Sequence, residues 1–184
     1  MAEAANQGIT ARPSLVDAAA VSEIFSGARP VEIEIGCGKG KFLIGRSQAH
    51  PEIQFLGIDR VGKWMKIGAK RSEKRNLPNL RFLKSDIRLI LEKVPPEGVS
   101  VFHIYFPDPW PKRRHRKRRL VNAGFLLLLW EKLRPGGLIE MATDDLDYFT
   151  AMKKAAALPE ALAGRCGKAS TGAFWIKMRK RITN

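Results

Sequence analysis

The fold is decided by one stretch of the chain, Val31-Glu32-Ile33-Glu34-Ile35-Gly36-Cys37-Gly38-Lys39-Gly40. A run of β-branched residues alternating with glutamate is followed at once by glycine at every second position. This pattern predicts a strand that turns tightly into a helix, which ends near His50-Pro51. A strand, a glycine turn and a helix in this order make the first half of a βαβ unit.

The same alternation continues along the rest of the chain. We predict strands at residues 55–58, 80–83, 101–106 and 138–142, with weaker ones at 164–168 and 174–182. We predict helices at residues 63–75, 88–93, 122–133 and 146–157, the third of them stopped by a turn at Pro135-Gly136-Gly137.

This order of elements predicts a single α/β domain over residues 31–184. Its fold is expected to be Rossmann-like and doubly wound, with a mostly parallel sheet of about seven strands and helices on both faces. Residues 1–30 are expected to form an N-terminal extension with one short helix at residues 15–25. In such sheets, ligands bind at the carboxyl ends of the strands, near the point where the strand order reverses.

Composition excludes several classes of protein. With 184 residues, 45% of them hydrophobic, the chain can bury a core, and it is neither disordered nor collagenous. Two cysteines exclude a disulfide framework, and three histidines with two cysteines offer no metal-ligand spacing, so no metal is expected. The longest apolar run, residues 123–130, is too short to cross a bilayer, and no signal segment is seen, so we expect a cytoplasmic protein with no membrane partner.

The charge of the chain indicates a polyanionic partner. The formal net charge is +15 at pH 7, and between Lys112 and Arg119 every residue except His115 is lysine or arginine. Anionic membranes are a weaker alternative because no basic amphipathic anchor helix is present. We therefore expect a nucleic acid, with the basic run holding the phosphates that flank a target base. The alternative for the run itself is a solvated charged surface.

Acidic residues lie at the ends of three successive predicted strands. Glu34 lies one residue before the end of the first, and Asp59 and Asp86 follow the second and the third. The dinucleotide fingerprint would place a third glycine where Lys41 stands, so a pyrophosphate is disfavoured. Glu34 would attract a cation or an amine, Asp59 could accept from ribose hydroxyls and Asp86 from an adenine amine. Together with the turn glycines Gly36, Gly38 and Gly40, this set predicts S-adenosylmethionine as a cofactor. The alternative is that the acids only cap helices and form turns.

The fourth strand runs directly into Phe106-Pro107-Asp108-Pro109-Trp110-Pro111-Lys112. Three prolines restrict the backbone, so Asp108 and Trp110 would be presented rigidly beside the ligand. A carboxylate can accept from the ring N–H and the exocyclic amine of guanine, whereas adenine has no such adjacent pair of donors. At about 1.5–3 kcal/mol each, two such hydrogen bonds would supply most of the discrimination.

These motifs closely resemble those of the bacterial tRNA (guanine-N7)-methyltransferases, which are class I S-adenosylmethionine-dependent enzymes. The resemblance covers about residues 31–149 and rests on the glycine turn, Gly57-Ile58-Asp59, the segment 106–112 with the basic residues after it, and Thr143-Asp144 with Tyr148. It implies methyl transfer to N7 of a guanosine in tRNA, guanosine 46 of the variable loop, by a monomer or homodimer. It also implies that Glu34, Asp59, Asp86 and Asp108 contact the cofactor or the guanine, and that Lys112 and Asp144 contact the RNA.

Nitrogen 7 of guanine carries a lone pair and no proton, so its methylation requires no general base. We therefore expect catalysis to depend on positioning and on carboxylates that stabilise the developing positive charge, with Asp108 doing both. Arg113, Arg114 and Arg116 are the expected phosphate contacts beside Lys112.

The tail departs from the family pattern. The family usually has a Thr-x-aromatic-Glu element, whereas Thr171-Gly172-Ala173-Phe174 contains no glutamate. A second hypothesis is therefore a non-catalytic or weakly active RNA-binding relative with the same fold. A third, a nucleotide-binding oxidoreductase, is disfavoured by the glycine spacing and by the acidic residues around the turn. The four acids Glu34, Asp59, Asp86 and Asp108 favour the methyltransferase, because a chain that only bound RNA would need no cofactor pocket.

Overall fold

The computed structural model describes residues 14–157 and 162–182. The strands in these ranges form one sheet, ordered β1-β4-β3-β2-β5-β6-β8-β7. In chain order they are β1 (Leu15–Val16), β2 (Val31–Ile35), β3 (Gln54–Asp59), β4 (Leu80–Lys84), β5 (Val99–Tyr105), β6 (Leu133–Thr143), β7 (Leu162–Lys168) and β8 (Phe174–Lys180).

The helices in the described part of the chain alternate with the strands. They are α1 (Val21–Ile24), α2 (Lys41–Ala49), α3 (Gly62–Glu73), α4 (Ile87–Leu91), α5 (Ala123–Lys132) and α6 (Leu146–Ala156), and a 3₁₀ helix covers Arg113–Arg118. Strands β1 to β6 pair in parallel, and β8 pairs antiparallel with both β6 and β7. The predicted Rossmann-like, doubly wound and mostly parallel sheet is confirmed, with β1 as an additional strand at one edge.

Two groups of buried residues fill the two faces of the sheet. On one face, α2 and α3 contribute Leu43, Ile44, Met65 and Ala69, which pack with Phe82 of β4. On the other face, α4, α5 and α6 contribute a larger cluster that includes Ile90, Leu126 and Met152. Helices therefore cover both faces, as the strand–helix alternation predicts.

The strand order reverses at β2, which lies between β3 and β5. The chain leaves β2 through α2 toward β3 and β4, and it later returns to β5 on the other side. In open α/β sheets this switch point opens a crevice at the carboxyl ends of the strands. The glycine turn after β2 and the segment 106–112 after β5 therefore lie at the same edge of the sheet.

Three glycines bring the glycine turn, β3 and α3 into close contact with the ring of Phe82. A Cβ atom on Gly40 would lie 2.5 Å from this ring, one on Gly68 2.9 Å and one on Gly57 3.0 Å. Gly40 also has a φ of +69°, in the left-handed region that favours glycine. The turn can approach the sheet this closely because no side chain stands between them.

Two predicted boundaries are wrong. The helix expected at residues 15–25 is confined to Val21–Ile24, because Leu15–Val16 pairs with β4 and the Asp17 carboxylate accepts from the backbone of Ala19 and Ala20. The turn expected at residues 135–137 lies inside β6. There the register with β5 shifts between Val99 and Val101, so the proline and glycines form a bulge in the strand.

The packing around Phe82 gives a test with a matched control. Replacing Gly68 by Ala places a methyl group against a rigid ring, and we expect a loss of about 1–3 kcal/mol in the free energy of unfolding. Replacing Gly45 by Ala on α2 should instead stabilise by about 0.5–1 kcal/mol, because the added Cβ would meet no described atom within 4 Å beyond its own helix backbone and its chain neighbours. Urea denaturation measures both.

The contact itself is tested by the double variant Gly68→Ala, Phe82→Leu. Its loss in the free energy of unfolding should be smaller than the sum of the losses of the two single variants, and strict additivity would contradict the contact.

Candidate functional site

The glycine turn is held against β3 by hydrogen bonds. The amides of Gly36 and Cys37 donate to Ile58 O at 2.8 and 3.3 Å. Asp59 links the turn to the start of α3, because its Oδ2 accepts from Gly38 N at 3.0 Å and its Oδ1 from Val61 N at 2.8 Å. An ionised carboxylate has about four acceptor positions, so two remain for a ligand.

Glu34 lies at the end of β2, just before the turn, and its side chain has an unsatisfied oxygen. The residue is 5% exposed, and its Oε2 has no hydrogen-bond partner among the residues that the structure describes. Burial raises the pKa of Glu34 to about 8, opposed by the charge of His103 and assisted by that of Asp59. A buried carboxylate without a partner is costly. An ammonium group beside it would satisfy the oxygen and favour the ionised form, which fits the cationic cofactor predicted from the sequence.

Asp86 lies at the same edge, two residues after β4, where it is half-buried. It caps α4, because its Oδ1 accepts from Arg88 N at 3.0 Å, and the neighbouring Ser85 N donates to Asp59 O at 3.0 Å. Strands β2, β3 and β4 are consecutive in the sheet. The structure thus brings Glu34, Asp59 and Asp86 to one edge across three adjacent strands, each about 4.8 Å from the next.

The segment after β5 is strained at both ends. Phe106 and Trp110 have φ angles of 50° and 44°, values that non-glycine residues adopt only when their surroundings enforce them. Between them, Pro107 and Pro109 restrict the backbone on either side of Asp108, which is exposed. The rigid presentation of Asp108 predicted from the prolines is consistent with this geometry.

A buried arginine holds this segment in place. The Arg119 side chain, 7% exposed, donates from Nε to Pro109 O at 2.7 Å and forms an ion pair with Asp147 Oδ2 at 2.5 Å. Its guanidinium also lies 4.7 Å from the centre of the Tyr148 ring. The hydrogen bond from Arg119 lowers the pKa of Asp147. Arg119 therefore makes contacts within the protein, whereas the basic run suggests that it contacts a phosphate. Sequence reasoning missed this role.

The other basic residues of the run are differently placed. Arg116 pairs with Asp147 Oδ1 at 3.1 Å on the surface, and Arg118 lies over the Trp110 ring at 5.0 Å. Lys112, Arg113 and Arg114 are exposed, and no acidic side chain of the described residues forms an ion pair with them. Three cations next to Asp108 are thus available to an anionic ligand.

Asp144 lies beside the tail that departs from the expected motif. It is exposed directly after β6, whose last residue, Thr143, pairs with Phe174 of β8. The turn between β7 and β8 uses Gly172 at φ +88°, and Phe174 stacks on Phe149 with the ring centres 4.7 Å apart. The turn that lacks the expected glutamate therefore lies close to the end of β6, and the ammonium groups of Lys168 and Lys153 lie near the rings of Phe174 and Phe149.

A buried polar network on the same face as Glu34 was missed by sequence reasoning. His103 Nε2 lies 2.8 Å from Glu32 Oε2, and its Nδ1 lies 3.0 Å from the Tyr105 hydroxyl, which donates to Glu140 Oε2. Arg46 adds two hydrogen bonds to Glu32. The only signal in the sequence is the presence of two glutamates in a strand that is otherwise apolar.

The network fixes the ionisation of its members. Burial alone would lower the pKa of His103, but the two carboxylates beside it raise the pKa instead. Burial would raise the pKa of Glu32, whereas hydrogen bonds from His103 and Arg46 lower it. His103 and other groups bonded to Glu140 lower the pKa of that carboxyl to about 2. The charge carried by His103 lies next to Glu34.

Two further features concern metals and membranes. The described residues contain no group of three or more histidine, cysteine, aspartate or glutamate side chains placed to hold a metal ion. No helix within residues 14–157 and 162–182 has the length and apolar character needed to cross a membrane.

Comparison with known sequences identifies relatives with a shared chemistry. The model of a family described as "Putative methyltransferase" matches residues 28–166. The chain is 37% identical over 130 residues to a tRNA (guanine-N(7)-)-methyltransferase of Rubrobacter xylanophilus, covering 71% of this chain and 58% of the relative. It is 40% identical over 126 residues to one of Geobacter metallireducens, covering 68% and 60%. The chain thus spans less than two thirds of the length of these relatives.

Solved structures share the fold. An rRNA methylase from Streptococcus thermophilus superposes with a TM-score of 0.65 at 9% identity, covering 88% of this chain and 94% of that one. A SAM-dependent methyltransferase from Aquifex aeolicus gives 0.62 at 16% identity and covers 93% of both chains. At these identities the likeness shows the fold alone.

The raised pKa of Glu34 predicts a pH-dependent stability. The folded protein holds a proton on Glu34 up to about pH 8, whereas the unfolded chain releases it near pH 4.5. This group therefore lowers the stability as the pH rises from about 5 to 8. The variant Glu34→Gln should gain a few kcal/mol relative to the natural chain over this range, measured by urea denaturation. Glu92→Gln, at an exposed site, is the control, and a difference for Glu34→Gln that does not change with pH would contradict the burial argument.

Proposed function

The chain belongs to the methyltransferase family whose model matches residues 28–166, and we propose that it transfers a methyl group from S-adenosylmethionine to N7 of a guanosine in tRNA. The observation that carries the proposal is the similarity, at 37–40% identity, to tRNA (guanine-N(7)-)-methyltransferases. The geometry supports it, because an unpaired buried carboxylate, an acid-lined glycine turn and a rigid exposed aspartate share one edge of the sheet.

The cofactor would lie over the glycine turn. Gly36, Gly38 and Gly40 leave the backbone open, and the unpaired oxygen of Glu34 would accept from the ammonium group of the methionyl part. The free acceptor positions of Asp59 suit ribose hydroxyls, and Asp86, at the end of β4, suits an adenine amine. When bound, S-adenosylmethionine supplies a methyl group activated by an adjacent sulfonium.

Asp108 would orient the guanine. Its carboxylate can accept from the ring N–H and the exocyclic amine, which fixes the position of N7 without touching it. Because N7 has no proton to lose, the protein's contribution is alignment, which can be worth up to about 7–11 kcal/mol, and stabilisation of the positive charge on the purine. The contacts of Arg119 with Pro109 and Asp147 would keep Asp108 in the required position.

The RNA would be held by the residues around Asp108. Lys112, Arg113 and Arg114 are exposed and form no ion pair with the described residues, so they can contact phosphates without first breaking one. Arg116 would exchange Asp147 for a phosphate, and Asp144 would contact the substrate from the end of β6. These assignments follow from position and charge.

A second candidate, an RNA-binding relative with little or no activity, is favoured by one observation. The turn at residues 171–174 lies beside Asp144 and brings no carboxylate to the site. Against it stands Glu34, because a protein that only bound RNA would have no use for a buried carboxylate that weakens its stability.

Methyl transfer is tested directly with the full chain, labelled S-adenosylmethionine and unmodified tRNA, followed by nucleoside analysis of the product. We expect the label in 7-methylguanosine, and sequencing of the modified tRNA gives its position. Binding of both ligands without any label would support the inactive relative. Label in another nucleoside would contradict the role given to Asp108.

The role of Asp108 is tested by Asp108→Asn, which keeps the size of the side chain but replaces one acceptor oxygen by a donor and removes the charge. We expect kcat/KM for tRNA to fall by about 100-fold or more, because both the orientation and the charge stabilisation are lost. The affinity for S-adenosylmethionine, measured by calorimetry, should change little. The control is Glu92→Gln at the exposed residue that follows α4, and wild-type activity in Asp108→Asn would overturn the assignment.

A further inference from the structure

Helix α3 has a continuous lysine face. Lys63, Lys66, Lys70 and Lys74 follow one another at intervals of three, four and four residues, so they lie on one side of the helix or at its end. All four are exposed, whereas the opposite side, with Met65, Gly68, Ala69 and Ser72, is buried against the sheet. At about 1.5 Å per residue, the lysines extend over roughly 16 Å.

A lysine from a neighbouring strand joins this face. Lys84, at the end of β4, passes so close to Gly62 that a Cβ atom there would lie 3.0 Å from its Cδ. Together with Lys63, Lys66 and Ile67, these two residues line an open groove of about 620 Å³ at the start of α3. The side chains of Lys63, Lys66 and Lys84 thus border one groove, mainly through their aliphatic stems, and no acidic side chain of the described residues lines it.

The lysine face is not neutralised by ion pairs within the described part of the chain. None of Lys63, Lys66, Lys70, Lys74 and Lys84 forms an ion pair there. Like charges three or four residues apart destabilise a helix. Water and salt reduce this repulsion between the lysines, and a bound anionic partner would remove it. The apolar side of α3 is packed against Phe82, so the helix has no free apolar face with which to enter a lipid surface.

The position of the lysine face relative to the candidate site indicates which anionic ligand it would bind. Helix α3 starts three residues after Asp59, at the carboxyl edge of β3, and the exposed cations 112–114 follow β5. Strands β3 and β5 lie on either side of β2. The two basic segments therefore leave the sheet on either side of the glycine turn, from strands that lie about two strand spacings, or roughly 10 Å, apart.

We propose that the lysine face of α3, with Lys84, binds the sugar-phosphate backbone of the RNA on the side of the cofactor turn opposite residues 112–114. This inference rests on the proposed function. A polyanion held at both surfaces crosses the edge of the sheet between them, where Glu34 and Asp108 lie. The face supplies affinity without reading the bases, because lysines contact phosphates as point charges.

The test compares two triple variants of equal net charge. The first, Lys66→Gln with Lys70→Gln and Lys74→Gln, removes three of the five lysines of the face. The second, Lys93→Gln with Lys153→Gln and Lys154→Gln, removes three exposed lysines, two on α6 and one that lies two residues after α4. Binding of unmodified tRNA is measured by fluorescence anisotropy from 50 to 300 mM KCl. For the first variant we expect the Kd to rise about tenfold or more and the slope of log Kd against log salt to fall by about two to three. The second should change the Kd by less than about threefold.

Separate readouts distinguish this inference from the proposed function. Both variants should bind S-adenosylmethionine like the natural chain, and the first should raise KM for tRNA with kcat retained. Equal weakening by both variants, or an unchanged salt slope in the first, would overturn the inference while leaving the proposed function intact. Loss of binding to vesicles of anionic phospholipid, with tRNA binding unchanged, would assign the face to a membrane instead. If the natural chain binds no tRNA, the proposed function fails first.

Discussion

One row of residues across the sheet sets the character of the site. Register places Phe82, Gly57, Glu34, His103, Glu140 and Lys177 side by side on β4, β3, β2, β5, β6 and β8. On one side of Glu34 the row contains Gly57 and Phe82, so the glycine turn and α3 can pack directly against the Phe82 ring. On the other side the row contains His103, Glu140 and Lys177, which are ionisable. Glu34 lies at this boundary, under the turn, because the pairing of the parallel strands leaves it no other position.

The site maintains features that oppose stability. Glu34 is buried without a partner for one oxygen, Phe106 and Trp110 have positive φ angles, and α3 presents lysines to one another. The first two are held by well-packed surroundings: the Phe82 contacts fix the turn above Glu34, and Arg119 links the segment 106–112 to α6. The same packing keeps the acidic groups in place before a ligand binds, so less conformational freedom is lost on binding.

The sequence predicts the architecture because glycine and proline mark where elements end, and the glycine turn, Pro51 and Pro78 separate strands from helices at nearly the observed residues. It does not reveal which way individual side chains point. The basic run looks uniform, yet Arg119 turns inward because Pro109 O and Asp147 lie within its reach. The partners of Glu32 come from β5 and α2, at separations of 71 and 14 residues, which no local pattern encodes. The predictions for residues 15–25 and 135–137 were wrong because strand pairing overrides local preference.

Glu32 and Glu34 provide the sharpest comparison in the molecule, since they are two residues apart on the same face of one strand and equally buried. Glu32 is satisfied by Arg46 and His103, and its pKa is lowered. Glu34 is not, because its neighbour Gly57 has no side chain and both ring nitrogens of His103 are committed to Glu32 and Tyr105. The described residues thus provide hydrogen-bond partners for the Glu32 carboxylate but none for Oε2 of Glu34. A buried oxygen left open beside a glycine turn can be satisfied by a donor from a ligand, and a cationic donor would favour the ionised form of this carboxyl, whose pKa is raised in its absence.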